Sequence, residues 1–357
     1  MKEAIVAKGP KVTIHDVPVP KPNADQVLIK VIYSGSNPKD WKLPQMGDPH
    51  NSGDDIAGII ESVGENVTEF KKGDRVAAFH EMAAPSGSFA EYAIAWDHTT
   101  FHLPKKTSFE EVGTFIRGAT IPLAAMTSAI GLYLRLGLPE PWAATTTPIP
   151  LIVYGASGAV GAYAIKLAQA SNIHPIIAVA GKGQSFVETL IDRSKGDTIV
   201  DYRNGDDAVV SGMKKALKEA GVNEVHHAFD AISEHNSFLN ISQVLAKQGS
   251  KITLVLPWGD FSAIPGHIKQ EITMVGCVHM EVDAESSEAK AGIKTGGKEF
   301  GYVFFRLFSR ALQKGWLTPH PYEVIPGGLN GLETGLSNLK NGVNSATKYV
   351  FKIEDTK

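Results

Sequence analysis

Ile149-Pro-Leu-Ile-Val-Tyr-Gly-Ala-Ser-Gly-Ala-Val-Gly-Ala-Tyr-Ala-Ile-Lys-Leu-Ala168 is the stretch whose reading decides the fold. Leu151 to Tyr154 is a short apolar run, the pattern of a strand buried on both faces. Gly155, Gly158 and Gly161 follow at a spacing of three. From Ala159 onward, Val160, Ala164, Ile165 and Ala168 recur at helical spacing. Strand, glycine turn and helix in this order form a dinucleotide fingerprint in a variant spacing. Glycine supplies backbone angles that other residues resist. It also lets main-chain N–H groups at the helix N-terminus approach a phosphate closely. The expected phosphate contacts are Gly155, Ala156, Ser157, Gly158, Ala159, Val160 and Gly161.

Downstream, strands and helices alternate. Strands are expected at Ile176–Val179, Asp197–Tyr202, Glu224–Asp230, Ser250–Leu256 and Ile272–Val278. Helices are expected from Phe186 to Ile191, Asp207 to Ala220 and Ser237 to Leu245. Such alternation implies a parallel sheet wrapped by helices. Upstream, the first hundred residues carry short strand-like runs at Val12–Val17, Val27–Tyr33, Ile56–Val63, Asp74–Phe79 and Ser88–Ala95, a β-barrel pattern. A helix capped by Ser108 and a long apolar helix from Ile121 to Leu136 join the halves. Residues 281–298 are polar and read as an exposed excursion, Phe300–Leu312 as an apolar helix, and Lys348–Ile353 as a strand returning to the barrel. The predicted domains are 1–124, completed by 299–357, and 125–298.

The chain has 357 residues, a formal charge of −3 and one cysteine, Cys277. A single cysteine excludes an intrachain disulfide and a cysteine-rich zinc site. Without a polybasic block, nothing favours nucleic acid or a membrane surface. We expect no signal peptide, no apolar run of membrane-spanning length and a cytoplasmic location.

Several motifs resemble the medium-chain dehydrogenase/reductase superfamily. Gly53-Asp-Asp-Ile-Ala-Gly-Ile-Ile-Glu-Ser-Val-Gly-Glu-Asn-Val67, Phe70-Lys-Lys-Gly-Asp-Arg-Val76 and Ser88-Phe-Ala-Glu-Tyr92 are similar to its barrel signature. Ser36-Asn-Pro-Lys-Asp-Trp-Lys42 resembles a segment of its zinc-free quinone reductases and fungal trans-acting enoyl reductases. The resemblance implies an α/β fold: a GroES-like β-barrel catalytic domain plus a Rossmann domain with a doubly wound parallel sheet. It places Asn37 where the superfamily's zinc enzymes carry a cysteine, and Asp54 and Asp55 where they carry histidine and glutamate. Tetrahedral zinc favours sulfur and imidazole ligands, so no metal is expected here.

The cofactor expectation is NADPH. NAD sites usually carry an acid about 20 residues after the glycine turn. Here Ala178-Val-Ala-Gly-Lys-Gly-Gln-Ser185 has none. Gly181, Lys182 and Ser185 suit a 2′-phosphate, and Tyr202 matches a tyrosine the family sets against it. Asp230, Leu256 and Cys277, at expected strand ends, complete the cofactor set, Cys277 through its backbone. By resemblance, Asn37, Asp40, Lys42 and Thr127 form the catalytic set. Lys42 either donates a proton or is a loop cation paired with Asp40. Trp41, Trp258 and Phe304 are candidates for an apolar pocket.

The resulting expectation is an NADPH-dependent reductase passing hydride to an activated C=C or a quinone without a metal. Metal-free carbonyl reduction and a non-catalytic NADPH-binding relative are the alternatives. The partner is a small-molecule substrate, with a synthase added if the enzyme acts in trans. The oligomeric state is monomer or homodimer.

Overall fold

In the computed structural model, residues 1–104, 111–280 and 297–357 are described. Among them, residues 1–123, 276–280 and 297–357 cluster as one compact unit and residues 124–275 as another.

The first unit is built on antiparallel strands. β1 (Lys2–Ala7) and β2 (Lys11–Asp16) form a hairpin. β3 (Gln26–Gly35), β4 (Asp55–Val63), β5 (Arg75–Phe79), β6 (Tyr92–Trp96) and β7 (Thr100–His102) follow. β3 pairs with both β4 and β6, and β5 with β4 and β7. Register shifts in the β3–β4 ladder fall between Leu28 and Ile29 and between Val31 and Tyr33. Such irregularities bend a sheet. The sheet wraps a core that includes Val27, Ile29, Ile56, Ile60, Val76, Phe89 and Phe351. Phe89 meets Phe351 edge to face at 5.9 Å.

The second unit holds a six-stranded parallel sheet. Its strands are β8 (Leu151–Tyr154), β9 (Ile176–Ala180), β10 (Thr198–Asp201), β11 (His227–Asp230), β12 (Lys251–Leu254) and β13 (Lys269–Ile272). Their spatial order is β10-β9-β8-β11-β12-β13. That is the doubly wound order, which reverses direction beside β8 and so opens a crevice at its carboxyl end. β8 and β9 are buried throughout, which is why they read as unbroken apolar runs. β14 (Tyr322–Val324) and β15 (Lys348–Lys352) then return to the first unit, where β15 lies antiparallel to β3 with Val350 opposite Gly35.

Several expectations are corrected. The run Ile272–Val278 is not one strand: β13 ends at Ile272, and Val275–His279 is a 3₁₀ turn. The carbonyl of Val278 faces His98 Nε2 at 3.0 Å instead of a neighbouring strand. Asp201 ends its strand because its carboxylate accepts the Arg203 N–H, which caps the 3₁₀ turn Tyr202–Asn204. The apolar helix is Pro122–Ala129 and continues as a π-helical turn, Ile130–Arg135. Gly131 in that turn lies so near the Phe229 ring that a Cβ would stand 2.3 Å from it. Phe115–Arg135 is in fact long and apolar enough to span a bilayer, but 94% of an 18-residue apolar window within it is buried in the protein. Ser108 and most of the 281–298 excursion lie outside the described residues.

Candidate active site

In the second unit the glycine turn has the geometry its sequence requires. Gly155 adopts φ +78°, and its carbonyl accepts the Gly158 N–H at 3.1 Å. A Cβ on Gly161 would stand 2.3 Å from that same carbonyl. Only glycine lets the helix Ala159–Ala170 sit this low on the turn. No side chain caps that helix at Gly158. Its first N–H groups therefore remain suited to an anion, and a dinucleotide phosphate fits this cradle. Thr127 is buried on the helix Pro122–Ala129. Its neighbour Ser128 donates to the carbonyl of Val160 at 2.7 Å, which ties that helix to the first turn of Ala159–Ala170.

Asp230 ends β11 beside this turn, and the Ala231 N–H donates to the Tyr154 carbonyl. The Asp230 carboxylate accepts from Ile232 N–H, Ser233 N–H and Ser237 Oγ at 2.6–3.0 Å. These bonds shape a turn in which Ser233, His235 and Asn236 all have positive φ. Ile232 is thereby set against Gly155. Asp230 thus shapes the turn that lies against Gly155. Burial pushes its carboxyl up to about 6, against the pull of its three donors. The folded state therefore holds this proton more tightly than the unfolded chain does. Its contribution to stability is complete below the ordinary value of 3.8 and is lost as pH rises through 6. Asp230→Asn should remove up to about 3 kcal/mol of the fall in stability between about pH 4 and 7. Urea unfolding of both proteins across that range checks it; parallel curves would contradict it.

At the far end of the turn, a Cβ on Gly181 would meet the Tyr202 ring at 2.6 Å. Lys182, Ser185 and Tyr202 are exposed. Asp201 is close in sequence to Tyr202, but Arg203 grips its carboxylate through Nε and Nη2 at 2.5–3.1 Å. The guanidinium holds that carboxyl well below the usual range and offsets its charge. Leu256 is half-buried beyond β12. Cys277 is buried in the 3₁₀ turn, with its carbonyl accepting the Met280 N–H at 3.2 Å.

In the first unit, Asn37 precedes a single helical turn, Lys39–Lys42. Asp40 is fully buried and its Oδ2 accepts the Asn37 N–H at 2.7 Å. Its charge partner is Lys39, at 2.9 Å, a pairing the sequence reading does not anticipate. Lys39 also binds Asp54 and the Ser52 carbonyl. His80 Nδ1 lies 2.9 Å from Asp54 and Nε2 lies 3.0 Å from the Pro85 carbonyl. Burial pushes the Asp40 carboxyl up to about 7, although Lys39 pulls it down. At Asp54 burial acts upward too, but Lys39 and His80 outweigh it and hold the carboxyl below its ordinary value. Lys42, at the end of the turn, is half-buried with its ammonium 5.6 Å from the Trp41 ring centre.

Comparison with known proteins places this geometry. Residues 23–105 match the alcohol dehydrogenase GroES-like domain. The chain is 46% identical to the trans-enoyl reductase fsr4 of Gibberella fujikuroi over 336 residues, 93% of this chain and 92% of that one. It belongs to the zinc-free quinone reductase and trans-enoyl reductase branch of the medium-chain dehydrogenase/reductases. A second member, the trans-enoyl reductase ACTTS2 of Alternaria alternata, is 30% identical over 98% of both chains. The fold is shared with an alcohol dehydrogenase superfamily protein from Novosphingobium aromaticivorans, at TM-score 0.74, 19% identity and 99% coverage of both chains.

In this reductase Asn37, Asp54 and Asp55, the residues that the family resemblance sets where zinc ligands would be, are engaged by ammonium groups. Lys348 binds Asn37 and Asp55, and Lys39 binds Asp54. A set of one amide and two lysine-paired carboxylates, without sulfur, does not fit zinc. Among the described residues no group of three His, Cys, Asp or Glu side chains is arranged to hold an ion. Sequence reasoning missed Lys39 and Lys348. The one signal available was a lysine opening an otherwise apolar strand, Lys348-Tyr-Val-Phe. The aromatic candidates separate: Phe304 is fully buried in a stack with Phe300 at 4.3 Å, Trp258 is 45% exposed, and Trp41 packs against the barrel core.

Proposed function

We propose that this chain uses NADPH to reduce the C=C of an enoyl group conjugated to a carbonyl, on an acyl chain presented by a separate synthase. The observation that carries the reading is the 46% identity to a trans-enoyl reductase across nearly the whole chain. The metal-poor chemistry around Asn37 supports it, because reduction of a conjugated C=C requires no Lewis acid. NADPH, when bound, supplies the hydride. The uncapped helix after Gly158 holds the diphosphate, and Lys182, Ser185 and Tyr202 receive the 2′-phosphate. Thr127 stands beside the nicotinamide. Hydride arriving at the β-carbon leaves negative charge on the carbonyl oxygen, which Asn37 meets through its amide N–H. Lys42 then gives a proton to the α-carbon. Asp40, buried behind them, fixes the turn that carries both. We place the enzyme in the cytoplasm, with its synthase.

The test is NADPH oxidation followed with α,β-unsaturated thioesters, simple enones, quinones and aldehydes as separate acceptors. Turnover of the thioesters above all others supports the reading. Quinone or aldehyde turnover alone would replace it with one of the other reductase chemistries. For the cofactor, NADPH should bind tighter than NADH by roughly tenfold or more, about 1.4 kcal/mol. Lys182→Ala should weaken NADPH and leave NADH unchanged in a fluorescence titration. Equal curves for the two cofactors in the parent protein would remove the 2′-phosphate assignment.

A further inference from the structure

Lys348 opens β15, yet its side chain runs inward and is 4% exposed. Its ammonium donates to Asn37 Oδ1 at 2.9 Å and to Asp55 Oδ2 at 2.5 Å. Asn37 Nδ2 donates to the same carboxylate oxygen at 2.8 Å. The other oxygen, Oδ1, accepts the Leu123 N–H at 2.8 Å. Amide, carboxylate and ammonium thus close a small ring, and all three are buried. Neighbouring backbone is shaped to admit it. A Cβ on Gly35 would stand 3.1 Å from Lys348 Cε and 2.1 Å from the Ala119 carbonyl. Beside it, Ser36 anchors the strand by donating through both N–H and Oγ to the Tyr349 carbonyl at 3.0 Å.

Burying an ion pair is costly, and apolar residues of equal volume often serve stability as well or better. The ring's specific consequence is orientation. A primary amide that meets neutral surroundings can turn either end outward. Here an ammonium claims the oxygen and a carboxylate claims one N–H, so the amide has a single permitted setting. By count, one N–H of Asn37 Nδ2 is left over from these bonds.

We propose that Lys348, with Asp55, is a positioning residue of the reductase: it locks the Asn37 amide in one orientation, so that the remaining N–H is held in a fixed direction for the substrate carbonyl. This rests on the reading of Asn37 as the group that meets the developing oxyanion. A lone Lys348→Met change strands the Asp55 charge and risks the fold. The informative variant is therefore Lys348→Met with Asp55→Asn, which removes both charges at similar volume. We expect it to fold, to bind NADPH within about twofold of the parent, and to keep the enone KM within about threefold while kcat falls at least tenfold. Asn37→Ala should cost the parent a similar factor, and should cost little more when added to the double variant, because the residues act through one group. Additive losses, or a double variant with parental kcat, would overturn the proposal. A second measurement is independent of variant folding and of the substrate. In the amide NMR spectrum of the parent, identified by its loss in Asn37→Ala, the Asn37 side-chain proton bound to Asp55 should exchange slowly with water. Rapid exchange of both side-chain protons would overturn the locking itself. Absence of turnover by the parent with every acceptor, alongside that slow amide signal, would instead count against the enoyl reductase reading.

Discussion

Lys42→Ala lowers enone turnover by roughly 10²–10⁴-fold, the range for a lost general acid, and leaves NADPH affinity nearly unchanged. That expected result follows from the place of Lys42 on the turn that also presents Asn37. Asp40, in the same turn, has its carboxylate engaged by Lys39. A quinone should suffer less from the substitution than an enone. Its reduced oxygens take protons from water, whereas an enolate must be protonated on carbon at a fixed position. Steady-state kinetics with both acceptors, beside a titration with NADPH, read the contrast. Equal small losses for both, or a large loss of NADPH affinity, would make Lys42 a structural cation.

Lys39→Met should destabilise the first unit by about 3–5 kcal/mol, the usual cost of removing one partner from a buried ion pair. Lys39 is the shared counter-ion of Asp40 and Asp54, and both carboxylates are essentially inaccessible to water. Those two neighbours raise the affinity of Lys39 for its proton against the opposing effect of burial. Without the ammonium, Asp54 retains His80, and Asp40 retains the Asn37 N–H. Adding Asp54→Asn to Lys39→Met should restore much of the loss, since a neutral amide keeps the shape and drops the uncompensated charge. Urea unfolding of the parent, the single and the double variant decides it. A single variant within about 0.5 kcal/mol of the parent, the range of ordinary surface changes, would show that water reaches the cluster and screens it.

The sequence by itself determined the local architecture. Leu151–Tyr154, the three glycines and the helical spacing that follows specify strand, turn and helix, because each is a short-range steric and burial pattern. The absence of an acid between Ala178 and Ser185 was equally legible, since it is a matter of which side chains are present. The family segments around Asn37 and Gly53 were legible as resemblances. Tertiary structure alone decided which charges pair. Lys39 and Lys42 lie three residues apart, on either side of Asp40, and nothing in their spacing tells which ammonium turns inward. Asp55 and Lys348 are separated by 293 positions, and they meet because β15 pairs with β3 while β4 pairs with β3's other edge. The same holds for the end of β13. Val275–Val278 reads as a strand by composition, yet a histidine 180 residues away meets the Val278 carbonyl. Apolar periodicity is a local signal. The partner of a buried polar group is fixed by whatever the folded chain brings within about 3 Å of it.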